Sequence, residues 1–538
     1  MSRALRLDRP ARAGSPRVLS LRERLVRSWD VLLELMSSTG QGMGSTWKGA
    51  EISRLRPGWG GGSRAPDQEI QFDLMLLRSR ARALRRNSPY IEHYVNLLLT
   101  NVLGATGPEH QAQVLNAAGE LDEPINDRIE AAWREWAEGP VTADGTMNLT
   151  AFRDLQLETM AIDGESFTNP LMGAEFRHGL ALQPIDPDLV DEKMSHAGGR
   201  DTPEVRMGVE VDRLGRRLGY HIWDRPEYGP GSANRGRVRY EASEILHHFR
   251  PRRAHQTRGV TWLAAAMTDL MDLDGYDEAV IVGARAAANQ MGFIEWTDPA
   301  AGGPSEDRTP VERELNPGTT TELDPGQKFT GFTPEQPTAV YSPFVKTRLR
   351  RISGALGVAY EALANDRESV NYGSMRGGSL IERDLWKKRH EMWRMTFELP
   401  VRMRWLQTAL LSGALQLPGA DWHAYAASKV VFRGWPWVDP KKDAETSEIE
   451  LALGLTSRQR IHAQRGSVFS EVLAEQAQER DLAAKLDLDI EPRRAAATPA
   501  TPPDDGEEDP DDEAGDGANG GARGRSNRIA AAIAARRR

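Results

Sequence analysis

The sequence contains no cysteine among its 538 residues. This absence excludes disulfide bonds, zinc–thiolate sites, iron–sulfur clusters and cysteine nucleophiles. No apolar run approaches the ~18 residues that a transmembrane helix needs. The arginine-rich N-terminus also lacks the apolar core of a secretory signal. We therefore expect a protein of a reducing compartment that does not have a membrane among its partners.

A concentrated basic face is also missing. The formal net charge is −9 at pH 7, but the segment 504–516 alone carries nine acidic residues and no basic one. The rest of the chain is therefore close to neutral. A dedicated high-affinity DNA-binding protein is expected to cluster its basic residues on one face, so the sequence argues against that class. With 39% hydrophobic and 27% charged residues, the composition is typical of a globular chain.

Patterns that would indicate nucleotide or calcium binding fail in detail. The glycine-rich segment 40–48 ends in Lys48, but Trp47 precedes that lysine and the spacing of a phosphate loop is not met. The acidic residues within 269–277 suggest a calcium loop. If Gly275 takes the sixth position of such a loop, its first and twelfth positions, which require carboxylates, are occupied by Leu270 and Ile281. We interpret these acids as a polar stripe on a helix.

Three histidines, His247, His248 and His255, suggest a metal site at first sight. Neighbouring residues of a strand point to opposite faces, so His247 and His248 cannot easily share an ion. No ordering of serine, histidine and aspartate and no pair of carboxylates stands out. The patterns therefore predict no enzyme, no cofactor and no metal site.

Hydrophobic periodicity predicts a mixed α+β chain. Helices are expected over 21–36, 69–103 with a break at Ser88-Pro89, 125–138, 150–162, 259–291, 344–356 and 380–412, with two or three more within 440–486. Strands are expected over 180–184, 205–211, 218–223 and 245–249, and near 319–323 and 329–332, with a hairpin turn at 211–217. Pro400 must kink the long helix 380–412.

The densest basic cluster of the folded body spans 250–258. Two interpretations remain open for Arg250, Arg252, Arg253 and Arg258. These arginines can contact phosphates, or they can pair with carboxylates across a subunit interface, because a guanidinium binds a carboxylate through two hydrogen bonds. The interface interpretation is favoured.

Several stretches in a fixed order resemble one known family. They are RSRARALRRN at 78–87 with NVLG at 101–104, FRDL at 152–155 with DGESF at 163–167 and QPIDPD at 183–188, ILHHF at 245–249 with the basic cluster and Gly259-Val260, the run from Phe344 through LGVAYE at 356–361 to VNYGSMR at 370–376, and GWPWVDPKKD at 434–443. In this order they resemble the lambda-type portal proteins of tailed bacteriophages, over about residues 65–490. Gly373 stands where the family usually has a serine, and the acidic tail is not part of the family pattern.

The resemblance implies the α+β portal fold of wing, two-helix stem, clip and crown, assembled as a cyclic ring around a DNA channel. The expected parts are a mobile basic N-terminal arm (1–69), a wing (70–258), a stem helix (259–296), a clip (297–343), a second stem helix (344–363), a tunnel loop (364–378), the long kinked wing helix (379–430), a crown-like helical region (431–490) and a disordered acidic tail (491–538).

The function that the resemblance implies is that of a non-catalytic portal, typically of twelve subunits, through which double-stranded DNA is packaged and ejected. The implied partners are further copies of the chain, double-stranded DNA, the terminase large subunit, the major capsid protein or scaffold, and head–tail adaptors. The expected location is the portal vertex of the virion, after assembly in the host cytoplasm. Another capsid or scaffold protein, or a DNA-packaging enzyme, is the alternative.

Two sets of residues are candidates for these contacts. In the tunnel loop, the residues expected to face DNA are Arg367, Asn371, Tyr372, Ser374 and Arg376. In the clip, the residues expected to face terminase or an adaptor are Glu306, Asp307, Arg308, Glu312, Arg313 and Glu322.

Overall fold

The structure is a computed structural model. It describes residues 64–200, 202–226, 235–288, 292–296, 323, 326–331, 338–368, 372–418, 422–435, 440–467, 469–486 and 488. The helix predicted over 21–36, the glycine-rich segment 40–48, nearly all of the strand predicted near 319–323 and the acidic tail lie outside these residues. The chain divides into two units, residues 1–469 and 470–538. The second unit is described only as most of the last helix.

The described residues form helices and strands in mixed order, as predicted. The helices are α1 Pro66–Ile70, α2 Leu74–Asn87, α3 Pro89–Val102, α4 Glu123–Glu138, α5 Leu149–Ile162, α6 Met267–Ala288, α7 Thr338–Leu356, α8 Tyr360–Ala364, α9 Tyr372–Trp393, α10 Leu399–Leu411, α11 Pro440–Ala452, α12 Arg458–Arg465 and α13 Phe469–Lys485. The strands are β1 Glu109–Ala112, β2 Glu165–Met172, β3 Leu180–Ile185, β4 Glu204–Arg206, β5 Val209–Val211, β6 Arg217–Trp223, β7 Arg237–Glu241, β8 Leu246–Phe249, β9 Gly292–Trp296, β10 Gln327–Gly331 and β11 Ser428–Val431.

The strands pair as four antiparallel sheets within the described part of the chain. One sheet has the order β3-β2-β8 and another the order β4-β5-β6-β7, while β1 pairs with β11 and β9 with β10. In the first sheet, Phe167 lies opposite Ile185 on one side and opposite His247 on the other. Strand β2, which the sequence did not reveal, is therefore the centre of this sheet.

The break between the first two long helices is where the sequence predicted it. Pro89 is the first residue of α3, and the Ser88 N–H donates to the Leu84 carbonyl at 2.8 Å to end α2. Ser88 occupies the capping position as expected, but its side chain makes no capping hydrogen bond. The predicted apolar positions Ile91 and Val95 are fully buried, which confirms the periodicity.

The strand predicted over 205–211 is wrong in one respect, because it is two strands. Met207 and Gly208 both have positive φ, 47° and 80°, and this turn folds β5 back on β4. A Cβ on Gly208 would lie 2.7 Å from the Asp191 carbonyl oxygen, so glycine fits this turn. The hairpin predicted at 211–217 is confirmed as the connection from β5 to β6.

The two helices predicted on either side of residue 300 have different bounds in the structure. Helix α6 begins at Met267 and not at residue 259, because Trp262 donates its backbone N–H to Ala161 at 3.0 Å and holds this stretch against the end of α5. Helix α7 begins at Thr338, before the predicted start at 344. It includes Pro343, which lies just before the predicted start of the helix.

The long helix predicted over 380–412 is broken just before Pro400. Residues Arg394–Glu398 form a π-helical turn between α9 and α10, and the Leu399 N–H donates to the Arg394 carbonyl. A proline has no N–H to donate to the carbonyl four residues earlier and its ring crowds that carbonyl. The predicted kink is therefore realised as a wider turn of helix.

Two apolar cores hold the described residues together. The larger lies among the helices and includes fully buried tryptophans at Trp136, Trp393 and Trp405. The smaller lies against the four-stranded sheet and includes Phe167 and Tyr220. No helix in the described part of the chain is long and apolar enough to cross a bilayer.

Candidate functional site: the paired helices and the segments they hold

Helices α6 and α7 form a contacting pair on either side of a segment that contains strands. Leu270 and Leu273 on α6 are buried in the same core cluster as Leu349 and Ile352 on α7. Beyond these leucines, Tyr276 packs against Phe344 with ring centroids 4.5 Å apart. The apolar spacing of both helices therefore serves their mutual contact.

The acidic residues of α6 face basic and phenolic groups of α7. Asp269 Oδ1 lies 2.6 Å from Arg348 Nη1, and Asp269 Oδ2 lies 3.2 Å from Arg351 Nη2. Tyr341 donates to Asp277 at 2.9 Å, and this hydrogen bond raises the pKa of Tyr341. The polar stripe predicted on this helix is confirmed, and it forms part of the helix–helix interface.

The segment that connects α6 to α7 contains a two-stranded sheet. Strands β9 and β10 are antiparallel, with Glu295 opposite Lys328 and Ile294 opposite Phe329. The strand predicted near 329–332 corresponds to β10, which begins at Gln327. All six residues proposed to face terminase or an adaptor lie outside the described residues.

The segment after α7 is tied back to that helix. Gly357 has a φ of 69° and ends the helix. Asp366 accepts from Tyr360 at 2.7 Å and pairs with Lys346 of α7 at 2.9 Å, and these two contacts lower the pKa of Asp366 to about 2. Lys346 also pairs with Glu368 at 3.1 Å. The described start of the predicted tunnel loop, residues 364–368, is therefore paired with Lys346 near the middle of α7.

The prediction of a loop is wrong for the second half of this segment, because helix α9 begins at Tyr372. Glycines such as Gly373 lower helix propensity, which is why the composition predicted a loop. Further along α9, Arg389 donates to the Leu356 carbonyl at 2.7 Å. This contact supplies a donor to a carbonyl at the end of α7, where no helical partner remains.

The five proposed DNA-facing residues are only partly described. Arg367 is exposed beside Asp366, and Tyr372, Ser374 and Arg376 lie on the first turns of α9. The side chains of Tyr372, Ser374 and Arg376 lie outside the described residues, and so does the whole of Asn371. Of this set, the structure thus places the main chain of Tyr372, Ser374 and Arg376 on one element, the first turns of α9.

The basic cluster proposed for a subunit interface is divided by the structure. Arg258 is fully buried inside its own chain and is therefore not available to a second subunit. Arg252 donates to the Thr261 carbonyl at 3.2 Å, and Arg253 pairs with Glu69. Arg250 remains exposed. The interface prediction is thus wrong for Arg258, because a carboxylate of the same chain binds it.

That carboxylate is Glu165, the centre of a buried ionic network. Arg258 Nη2 lies 2.6 Å from Glu165 Oε1, Arg78 lies 3.2 Å from the same oxygen, and His247 Nε2 lies 3.0 Å from Oε2. Burial alone would raise the pKa of Glu165, but Arg258 lowers it far below its ordinary value. Burial lowers the pKa of His247 to about 3, so the ring is neutral.

The backbone around this network is tightly fitted. Gly164 has a φ of 95°, and a Cβ there would lie 2.3 Å from the Val260 carbonyl carbon. The Gly259 N–H donates to Glu165 Oε2 at 2.8 Å. The stretches DGESF, ILHHF and the basic cluster with Gly259-Val260 thus meet at one point. Their pairing was missed because the sequence shows the charges and not their distances.

A second buried network surrounds Glu398 in the π-helical turn. The Glu398 carboxylate accepts from Arg153 at 2.7 Å, from His110 at 2.9 Å and from the Trp393 indole at 2.8 Å. Burial opposes the charge, but Arg153 and His110 lower the pKa of Glu398 to about 2. This network links β1, α5 and the turn.

His247 and His248 point to different faces of strand β8, as predicted. His247 contacts Glu165, whereas His248 accepts from or donates to Thr168 Oγ1 at 3.1 Å on another face of the strand. His255 is exposed. In the described residues, no group of three or more histidine, aspartate or glutamate side chains is arranged to hold a metal ion.

Comparison with known proteins identifies the class. A family model described as phage portal protein, lambda family, matches residues 53–390. The probable portal protein of Halomonas phage phiHAP-1 is 32% identical over 453 residues, which cover 80% of this chain and 86% of that protein. Portal protein B of Escherichia phage lambda is 22% identical over 477 residues, which cover 78% and 88%. The neck of a native gene transfer agent particle with C12 symmetry is similar in structure, with a TM-score of 0.39 and 15% identity over 73% of this chain and 93% of that one.

The family model and the relative from phage phiHAP-1 identify a structural protein of a phage particle. The chain belongs to the lambda family of phage portal proteins. Residues 53–390 include both helices of the contacting pair, α6 and α7, and the Glu165 network of Arg78, Glu165, His247 and Arg258. The predicted recognition and the predicted portal function are confirmed.

Proposed function

We propose that this portal protein forms a closed ring of twelve subunits at one vertex of the capsid, and that double-stranded DNA passes through the ring during packaging and ejection. The observation that carries the proposal is the α6–α7 pair, which is joined in the chain by a strand-containing segment and holds the 366–368 segment through Lys346 near the middle of α7. Repeated around a symmetry axis, such a pair would build a wall that carries both segments.

The entry to α9 is the proposed contact with DNA. Arg367, Asn371, Tyr372, Ser374 and Arg376 offer charged and hydrogen-bonding groups that suit phosphate contacts without reading base sequence. The ion pairs of Lys346 with Asp366 and Glu368 support the base of this segment. In a ring, each weak contact is repeated by every subunit, so DNA is held while it can still slide.

The remaining partners belong to the same proposal. The clip residues Glu306, Asp307, Arg308, Glu312, Arg313 and Glu322 would meet the terminase large subunit during packaging and head–tail adaptors afterwards. The wing would meet the major capsid protein or scaffold, with assembly in the host cytoplasm. The chain itself would be non-catalytic, and ATP hydrolysis would be supplied by the terminase.

Two measurements on the purified full chain test this function. Native mass spectrometry should give closed oligomers with twelve subunits, and negative-stain images should show rings with a central hole. A monomer at micromolar concentration would contradict the proposal. An icosahedral lattice would favour the alternative of a capsid or scaffold protein, and intrinsic ATPase activity would favour a packaging enzyme.

A further inference from the structure

A cleft of about 980 Å³ opens between strand β8, the β5–β6 turn, the basic cluster and the π-helical turn. Its walls carry four arginines, Arg206, Arg217, Arg252 and Arg253, and two histidines, His247 and His255. None of the residues that line it in the described part of the chain is an aspartate or a glutamate. A cleft with cationic walls and no carboxylate is suited to an acidic occupant.

Only part of this positive charge is balanced within the chain. Arg206 pairs with Glu204 at 2.7 Å, and Arg253 pairs with Glu69. Arg217 instead lies over the Phe249 ring, 4.9 Å from its centroid. Arg252 contacts only a carbonyl, and burial together with neighbouring Arg250 lowers its pKa. Arg217 and Arg252 therefore have no carboxylate partner among the described residues.

The cleft also has apolar walls. It is lined by Leu214 and Met395, which are 78% and 54% exposed, and also by Leu246 and Phe249. Apolar walls make few favourable contacts with a ligand that carries only charged groups. They favour an occupant that carries aliphatic side chains beside its carboxylates.

The same chain displays a surface with these two properties at the end of α11. Its carboxylates Glu445, Glu448 and Glu450 are exposed. Beside them, three aliphatic side chains are also exposed, Ile449 by 59%, Leu453 by 67% and Leu455 by 68%. We call the segment 445–455 the acidic helix end.

The acidic helix end is a rigid element. Gly454 has a φ of 69°, and the Leu455 N–H donates to the Glu450 carbonyl at 2.9 Å while the Gly454 N–H donates to Leu451 at 3.2 Å. This is the hydrogen-bond pattern of a glycine-terminated helix. Little conformational entropy is therefore lost when the two leucines dock.

We propose that the cleft of one subunit receives the acidic helix end of a second copy of this chain. Because the two surfaces differ, the contact is head-to-tail, and such a contact closes into a ring when the rotation between subunits permits it. This inference rests on the proposed ring and adds the residues that hold neighbouring subunits together.

Two other segments of the chain fit the cleft less well. The N-terminal arm carries eight arginines within its first 27 residues, so its charge has the wrong sign. The tail segment 504–516 has the right sign but contains no large apolar residue, so it would leave the apolar walls uncovered.

The absence of native cysteine gives a direct test. Leu214→Cys at the cleft rim and Leu453→Cys on the acidic helix end, combined in one chain, should form disulfides between subunits. On a non-reducing gel they should give a ladder of covalent oligomers that collapses on reduction. Leu453→Cys combined with Leu121→Cys, which is also exposed, is the matched control and should give no ladder. No ladder in the test pair, or an equal ladder in the control, would overturn the assignment.

Charge reversal tests the ionic part. Arg217→Glu with Arg252→Glu should raise the protein concentration needed for half-assembly by at least about tenfold, because like charges then face each other. Glu445→Arg with Glu448→Arg should do the same, and the chain with all four changes should recover assembly. Arg80→Glu with Arg128→Glu, two exposed arginines away from the cleft, is the control and should assemble normally.

The outcomes separate this inference from the proposed function. If the native chain forms rings and the cleft variants form them equally well, the cleft assignment is wrong and the ring stands. If the native chain stays monomeric, the proposed function itself fails. If a chain ending at residue 490 loses assembly and the α11 reversal does not, the tail occupies the cleft and our choice of occupant is wrong.

Discussion

His248 Nδ1 lies 2.5 Å from the carbonyl oxygen of Thr396 in the π-helical turn. Pro400 has no N–H, and the carbonyl four residues before it, which would accept that bond in a regular helix, belongs to Thr396. The strand β8 thus supplies a donor to a helix carbonyl that the proline has left without its usual partner. Burial lowers the pKa of His248 to about 4, so the ring is neutral and donates from Nδ1.

The first prediction concerns pH. Burial lowers the pKa of His110, His247 and His248 to about 4, 3 and 4. The unfolded chain therefore binds more protons than the folded chain between pH 6.5 and about 4, and the free energy of unfolding falls as pH falls through that window. At pH 5 the loss is about 2 kcal/mol for each histidine with a pKa of about 4.

Denaturant unfolding at pH 7 and pH 5 measures this loss. The variant His248→Gln removes one titrating group while an amide can still donate to Thr396. Its free energy of unfolding should depend less on pH than that of the native chain. A variant with an unchanged pH dependence would show that His248 has the same pKa in the folded and unfolded chains, which would contradict the prediction.

The second prediction concerns the buried Glu165 network. Glu165→Gln should lower the free energy of unfolding by about 3–5 kcal/mol, because it leaves Arg258 and Arg78 buried without their carboxylate. Glu69→Gln is the matched control, since its pair with Arg253 is nearly half exposed and should contribute at most about 1 kcal/mol. Urea denaturation of both variants makes the comparison, and equal losses would contradict it.

The third prediction uses two glycines. Gly164→Ala should destabilise the fold by about 2 kcal/mol or more, because the residue has positive φ and its new Cβ would meet the backbone of Val260 and Thr261. Gly275→Ala, in helix α6 with no atom within 4 Å of the new Cβ, should be neutral or stabilising by up to about 1 kcal/mol. Gly164→Ala should therefore lower the melting temperature, whereas Gly275→Ala should leave it unchanged or raise it.

The fourth prediction concerns the proposed DNA contact. Arg367→Ala combined with Arg376→Ala should leave rings and shells intact while less full-length DNA is retained, because two cations per subunit are removed from the entry to α9. Arg80→Ala combined with Arg128→Ala provides a control with equal loss of charge. DNA content of purified particles is the measurement. Normal retention in the first variant would end the proposal that this segment grips DNA.

The fifth prediction concerns the C-terminal tail. A chain ending at residue 490 should form the same rings as the full chain, because the proline, glycine and acidic residues beyond it cannot bury a core. Native mass spectrometry of both chains at one concentration makes the comparison. Loss of oligomers in the short chain would assign the tail a structural role.

Much of the fold follows from local sequence signals. The break at Ser88-Pro89 and the hairpin at 211–217 depend on residues adjacent in the chain, and the structure confirms both. Where a kink was predicted at Pro400, the structure has a π-helical turn over Arg394–Glu398. The family stretches likewise predicted a portal protein. Local propensity failed at Gly373, which lies in helix α9 although glycine disfavours helix.

The sequence by itself determined the spacing of the helices, the place of their breaks and the family, because backbone sterics and apolar periodicity act over a few residues. Only the tertiary structure decided which charges meet. Arg258 and Glu165 lie 93 positions apart, and the sequence does not show that Arg258 turns inward while Arg217 lines an open cleft. The difference is physical: a buried ion pair is selected by the desolvation of both partners at a distance that the whole fold sets.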